Sequence, residues 1–210
     1  MKLFQYLDRD GNFNYEKYRS VQEDGNKAKI KNRWTNKNNI NLVASYLRRY
    51  ANPLNFGICH GTRQGHEQLW FREALNIEVI GTEISETATE FPYTIRWDFH
   101  EINVAWLDKV DFIYSNSFDH AYDPEKCFRA WWQTLRRGGF CILEHTKMHT
   151  PAGVSQLDPF GIEREELTVF LENLKGARFI IRDVISDFPF VPEPHMKELA
   201  FIIAEKPAIP

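Results

Sequence analysis

The chain predicts an α/β fold: a three-layer sandwich with helices on both faces of a central, mostly parallel sheet. Three observations predict it. Short apolar runs alternate with amphipathic patterns of helical length, the signature of strands joined by crossover helices. From residue 54 onward, successive runs close on a polar residue, Glu83, Asp98 and then Asn116. Between the first run and the helix after it lies His60-Gly61-Thr62-Arg63-Gln64-Gly65. Glycines at a strand-to-helix turn let a backbone approach a ligand closely.

Taken in order, residues 1–13 are polar and turn-rich and read as a loose lead-in. Asn14 suits an N-cap for a short helix over 15–22. Asp24-Gly25-Asn26 reads as a break, after which Lys27, Lys29, Lys31 and Arg33 run up to Trp34. That basic run is either a solvated face or a lid that recruits an anionic or sugar substrate. Residues 39–50 form an amphipathic helix with Ile40, Val43, Leu47 and Tyr50 on one stripe and Arg48 and Arg49 near its C-terminal end. Ala51-Asn52-Pro53 stops it, and its apolar stripe is expected to pack on the sheet. Residues 1–53 are thus expected as an N-terminal helical cap, and 54–210 as the core of the same single domain.

Leu54 to Cys59 is the first strand, and Glu67 to Leu75 carries helical spacing. Val79-Ile80-Gly81-Thr82 is a strand that ends at Glu83, about twenty residues beyond the first glycine, where a carboxylate can hold both hydroxyls of a ribose. Thr94-Ile95-Arg96-Trp97 ends at Asp98, and Asp111 to Ser115 ends at Asn116. Strand ends of this kind are the edge at which open α/β sheets bind ligands. Asp123-Pro124-Glu125 opens a helix as N-cap, first-position proline and first-turn acid. Its stripe is Cys127, Trp131 and Leu135, with Arg136 and Arg137 as a basic end and Gly138 as C-cap. Residues 140–144 form the next strand, and 145–161 a loop long enough to bind a ligand. A helix with Leu167, Phe170, Leu171 and Leu174 ends at Gly176. Strands over 179–185 and 199–204 close the chain.

Composition narrows the function. With 43% hydrophobic residues, 16 Phe and 6 Trp in 210 residues, the chain can bury a full core. A net charge of −3 argues against wholesale binding of nucleic acid or an anionic membrane, and no apolar run reaches the ~18–20 residues of a membrane span. Met1 to Asp8 meets charge too early for a secretory segment, so a cytoplasmic location is expected. Three cysteines, two of them in predicted strands, read as reduced core residues.

In this register the chain resembles the class I S-adenosylmethionine-dependent methyltransferases over roughly 54–144. The resemblance implies a Rossmann-like fold with a seven-stranded sheet and S-adenosyl-L-methionine as cofactor. It implies that Gly61, Thr62, Arg63 and Gly65 pack on the methionine part, and that Glu83 with Ile84 holds the ribose. It further implies that Asp98 with Phe99 meets the adenine, and that Ser115 and Asn116 face the methyl group and acceptor. Two positions depart from the pattern: Cys59 stands where an acid is usual, and Arg63 where a middle glycine is usual. The Arg63 guanidinium either reaches the cofactor carboxylate or points to solvent.

Methyl transfer to a hydroxyl needs alignment and a base. His120, after the fourth strand, is placed for that base, since an imidazole titrates near neutral pH. Asp119 either orients the imidazole or serves as base itself; the alternatives are a loop histidine bonded to backbone for His120 and an Asx-type turn for Asp119. His60, His100, His145 and His149 fall near the same rim as Asp98, Asp119, Glu144 and Asp158. They could assemble a divalent-metal site, as in the metal-dependent O-methyltransferases, but they lack the tight local spacing of a zinc motif, and a site without metal is the favoured reading. Asp158-Pro159 reads as a turn. The expected function is methylation, with oxygen favoured, of a small molecule or saccharide, by a chain that could form a homodimer. A nicotinamide-dependent oxidoreductase and a non-catalytic methyltransferase-like binding protein are the competing readings.

Overall fold

A computed structural model describes residues 1–208 and contains nine strands and five α-helices among them. β1 (Lys2–Leu3) pairs antiparallel with β7 (Phe160–Gly161) outside the main sheet. The sheet itself comprises β2 (Phe56–His60), β3 (Glu78–Glu83), β4 (Thr94–Arg96), β5 (Val110–Ser115), β6 (Leu135–His145), β8 (Ile180–Ile185) and β9 (Ala200–Glu205). Its seven strands lie in the order β4-β3-β2-β5-β6-β9-β8, and β9 alone runs against the rest.

The central strands β2, β5, β6 and β9 are buried on both faces because both faces are covered, as parallel sheets require. Ile58, Ile113, Cys141, Leu143 and Ile202 join one core with α4 (Pro124–Thr134) and α5 (Arg164–Asn173). Their strand neighbours Cys59, Phe112, Tyr114, Ile142 and Ile203 join the other with α2 (Lys37–Tyr50) and α3 (His66–Leu75). This is the predicted three-layer α/β sandwich. The cysteines Cys59, Cys127 and Cys141 are all free and buried.

Three local expectations fail, each because a distant partner overrides local pattern. Residues 1–13 are not loose: β1 is paired, Phe4 donates to the Pro159 carbonyl at 2.7 Å, and Tyr6 is buried. Gly25 does not break the first helix, α1 (Tyr15–Ala28), because it lies against the Leu157 side chain. Leu135 to Gly138 are not the end of α4 but the start of β6. Leu135 pairs with Val110, and the Arg136 guanidinium bonds the Asp111 carboxylate, so the sheet captures residues whose composition suits a helix end.

Candidate functional site

Strand order reverses between β2 and β5. From β2 the chain steps outward to β3 and β4, then returns to lay β5 on the other side. A crevice opens beyond the carboxyl ends at such a switch point. Here those ends are His60-Gly61 and Ser115-Asn116.

The turn after β2 is held tightly. Gly61 has φ +73°, and a Cβ there would come within 2.6 Å of the Ser117 Cβ, so both conformation and contact demand glycine. The amides of Gly61 and Thr62 donate to the Thr82 carbonyl at 2.9 and 3.1 Å, and the Arg63 amide donates to Glu83 Oε2 at 3.0 Å. Gly65, also at positive φ, donates to the Thr62 carbonyl at 2.7 Å. The turn is therefore a close-fitting wall and not an open nest of N–H groups for phosphate.

A recess of about 500 Å³ lies on one side of the turn, lined by Gly61, Arg63, Glu83, Ile84, Phe99 and Ser117. Its roof is α1, which contributes Tyr18, Gln22, Gly25 and Asn26. Glu83 is 7% exposed and anchored by the amides of Arg63 and Ser85, with burial raising its carboxyl above the ordinary range. Asp98 sits apart from this recess. Its Oδ1 accepts from His100 at 2.7 Å and its Oδ2 from the Tyr15 hydroxyl at 2.9 Å. Burial works against it, yet the His100 and Tyr15 bonds hold the Asp98 carboxyl below its usual range.

A second recess, of about 660 Å³, adjoins the first and shares Lys29, Arg63, Ser117 and His120 with it. Asn116, Asp119, Glu144, His149 and Asp158 also line it, and Trp34, Met148 and Met196 make its apolar side. Arg63 stands where the two meet. Its Nη1 donates to the Asn32 carbonyl at 3.1 Å, while its buried Nε has no partner. Ser115 is fully buried and braces the two strand ends, donating to the His60 carbonyl and accepting from the Ser117 amide.

His120 lies on the rim of both recesses. Gln22 Nε2 donates to the Leu157 carbonyl at 3.0 Å, which turns Gln22 Oε1 toward His120 Nδ1 at 2.6 Å. Nδ1 must therefore carry a proton, and in the neutral ring the Nε2 lone pair faces Asp119 and Asp158. Asp119 is 6% exposed, its Oδ1 has no hydrogen-bond partner, and burial pushes its carboxyl up to about 7. His149 donates from Nε2 to the Asn116 carbonyl at 3.1 Å and accepts the Thr146 amide at Nδ1. His60 is a core residue, stacked on Trp131, and burial lowers it to about 3. Sequence reading did not single out Gln22, Tyr18 or Leu157, and took Asp158 for a turn residue. The partners of Gln22, Tyr18 and Leu157 are about 100 residues or more away in sequence, beyond the reach of spacing.

No protein-family model and no curated protein matches the chain. Solved structures do match. The 1,6-didemethyltoxoflavin-N1-methyltransferase of Burkholderia thailandensis, solved with 1,6-didemethyltoxoflavin and S-adenosylhomocysteine, is 14% identical at TM-score 0.70, covering 99% of this chain and 100% of that one. The geranyl diphosphate C-methyltransferase of Streptomyces coelicolor is 11% identical at TM-score 0.58, covering 79% and 78%. A possible histamine N-methyltransferase of Thermotoga maritima is 14% identical at TM-score 0.55, covering 92% and 100%. The fold is thus that of class I S-adenosylmethionine-dependent methyltransferases, as the motif order implied.

Proposed function

We propose that the chain is an S-adenosylmethionine-dependent methyltransferase that methylates a hydroxyl of a small molecule or saccharide. The observation that carries this reading is the adjacency of two recesses at the switch point. One is lined by Gly61, Glu83, Ile84 and Phe99, the other by Asn116 and Asp119, with Arg63, Ser117 and His120 common to both.

The residues suit the cofactor. Glu83 is buried, braced from behind by two amides, and borders the first recess, as a partner for ribose hydroxyls should. The absence of a Cβ at Gly61 lets Ser117 close against the turn on the border of the recess, and Phe99 offers an apolar wall to the adenine. Asp98 contributes by fixing Tyr15 of the roof. Bound there, the cofactor supplies an electrophilic methyl group on a sulfonium. Arg63 and Ser117 position the two halves of the reaction, because both border each recess. His120 and Asp119 are assigned to removing the acceptor proton, since both residues line the second recess.

A nicotinamide reading is disfavoured by the turn itself. A pyrophosphate needs backbone N–H groups at the first turn. The amides of Gly61, Thr62, Arg63 and Gly65 are all committed within the protein.

Thermal shift tests the reading. A ligand that binds only the folded state at a hundredfold excess over its Kd adds about 2.7 kcal/mol. S-adenosylmethionine and S-adenosylhomocysteine should raise Tm, and NAD should not. Glu83→Ala should cost about 1.5–3 kcal/mol of that binding, the worth of hydrogen bonds to a charged group. His120→Ala should abolish turnover with cofactor binding intact. A chain stabilised by NAD alone would overturn the proposal.

A further inference from the structure

We propose that Asp119, His120 and Asp158 form a binding site for one divalent first-row cation on the wall of the acceptor recess. His120 Nε2 lies 3.7 Å from Asp158 Oδ1 and 4.0 Å from Asp119 Oδ1, and the three ligand atoms all lie within 4.8 Å of one another. The side chain of Asp119 is only 9% exposed, and its Oδ1 is turned into the cluster with no donor to satisfy it. Burying a carboxylate so costs free energy unless a counter-charge arrives. No ion pair joins Asp119 or Asp158 to Lys29 or Arg63, the two cationic side chains lining this recess.

The donors are braced from behind, as ligands of a real ion are. Gln22 Oε1 accepts the Nδ1 proton of His120 at 2.6 Å, which leaves Nε2 as the free lone pair. Ser155 Oγ donates to Asp158 Oδ2 at 3.1 Å, which leaves Oδ1 for the cluster. His149 is excluded as a ligand, because its Nε2 proton is given to the Asn116 carbonyl. Two carboxylates and one imidazole suit Mn²⁺ or Zn²⁺, and three protein ligands leave positions open toward the recess. Ligand bonds of about 2.0–2.2 Å would draw the three side chains slightly together.

The ion's chemistry rests on the methyltransferase reading; its binding does not. In the loaded site the Nε2 lone pair is committed to the cation. An acceptor hydroxyl on an open position would be made more acidic by the ion and would lose its proton to solvent. His120 and Asp119 would then act on the acceptor through the cation.

The test uses protein freed of metal by chelation and titrated with Mn²⁺, read by loss of the free-ion resonance. One Mn²⁺ per chain should bind, and Zn²⁺ should displace it. Asp158→Asn and Asp119→Asn should each weaken Mn²⁺ binding at least about tenfold, and Gln22→Ala by about 10- to 100-fold, the usual effect of removing a ligand's support. If Asp158→Asn melts without metal at a temperature that shows it unfolded, Asp158→Ser and Asp119→Asn carry the same comparison. No retention of Mn²⁺ or Zn²⁺ at millimolar concentration would overturn the site, as would equal affinity in wild type and both aspartate variants. S-adenosylhomocysteine thermal shift on the same samples keeps the two readings apart. A shift without metal binding sinks only the ion, and metal binding without a shift sinks only the methyltransferase.

Discussion

Glu67 shows what burial does to a single carboxyl. It sits in the first turn of α3, 8% exposed, with Oε2 lacking any partner. Burial, with the nearby Glu144 and Glu83 adding to it, lifts its carboxyl from 4.5 to about 8 against the pull of Arg63. The folded chain then keeps this proton up to pH about 8, whereas the unfolded chain releases it near 4.5. Between those values the unfolded state binds fewer protons, so stability is lost as pH rises through the window and levels off above it. Glu67→Gln removes the titration. Its Tm should match that of wild type near pH 4.5 and exceed it by several degrees at pH 8, followed by thermal melts across buffers. Parallel curves would refute the account. None of this is legible in the sequence, where Glu67 is simply an acid suited to a helix start. The charge state depends on what the sheet packs against it.

At the scale of elements, the turn between β2 and α3 is the part most exposed to single changes. Gly61→Ala forces a left-handed backbone on a residue with a Cβ and drives that Cβ onto Ser117. A cost of about 1–3 kcal/mol is expected, with loss of the S-adenosylhomocysteine shift. Because the contact is to the Ser117 side chain, Ser117→Gly should recover part of that cost, and a double-mutant cycle would measure the coupling. Additive effects would show that strain, and not the contact, dominates. Strands and helices around this turn were legible because their patterns are local: alternation of apolar runs, caps at Asn14 and Asp123, polar residues at strand ends. What was not legible came from pairing across the chain. Arg136 reads as a helix end until Asp111 claims it, and Asp158 reads as a turn until the N-terminal segment folds its loop over His120. Residues that border the first recess, Gly61, Arg63, Glu83, Ile84 and Phe99, were nameable from the family resemblance that the order of strands and strand ends carries. That Asp98 sits apart from the recess was not legible, since it is diverted by Tyr15 and His100, two residues with no special standing in the motif.

The molecule as a whole is a sheet with a core on each face and two adjoining recesses at one edge. Trp131 belongs to the α4 side, fully packed, with its indole N–H donating to the Phe99 carbonyl at 2.9 Å. Trp131→Ala should cost about 3–5 kcal/mol. It should also loosen Phe99 in the recess, so denaturant melts and S-adenosylhomocysteine affinity should fall together. A stability loss with affinity unchanged would separate core from site. The roof formed by α1 has a kinetic corollary. It is tied down across the crevice by Tyr15 to Asp98, by Tyr18 to the His120 carbonyl and by Asn26 to Thr87. With the cofactor in the first recess, as proposed, a spent nucleoside would lie beneath those ties, and their parting would pace its release. Tyr15→Phe cuts one tie, and its signature in stopped-flow would be quicker escape of S-adenosylhomocysteine.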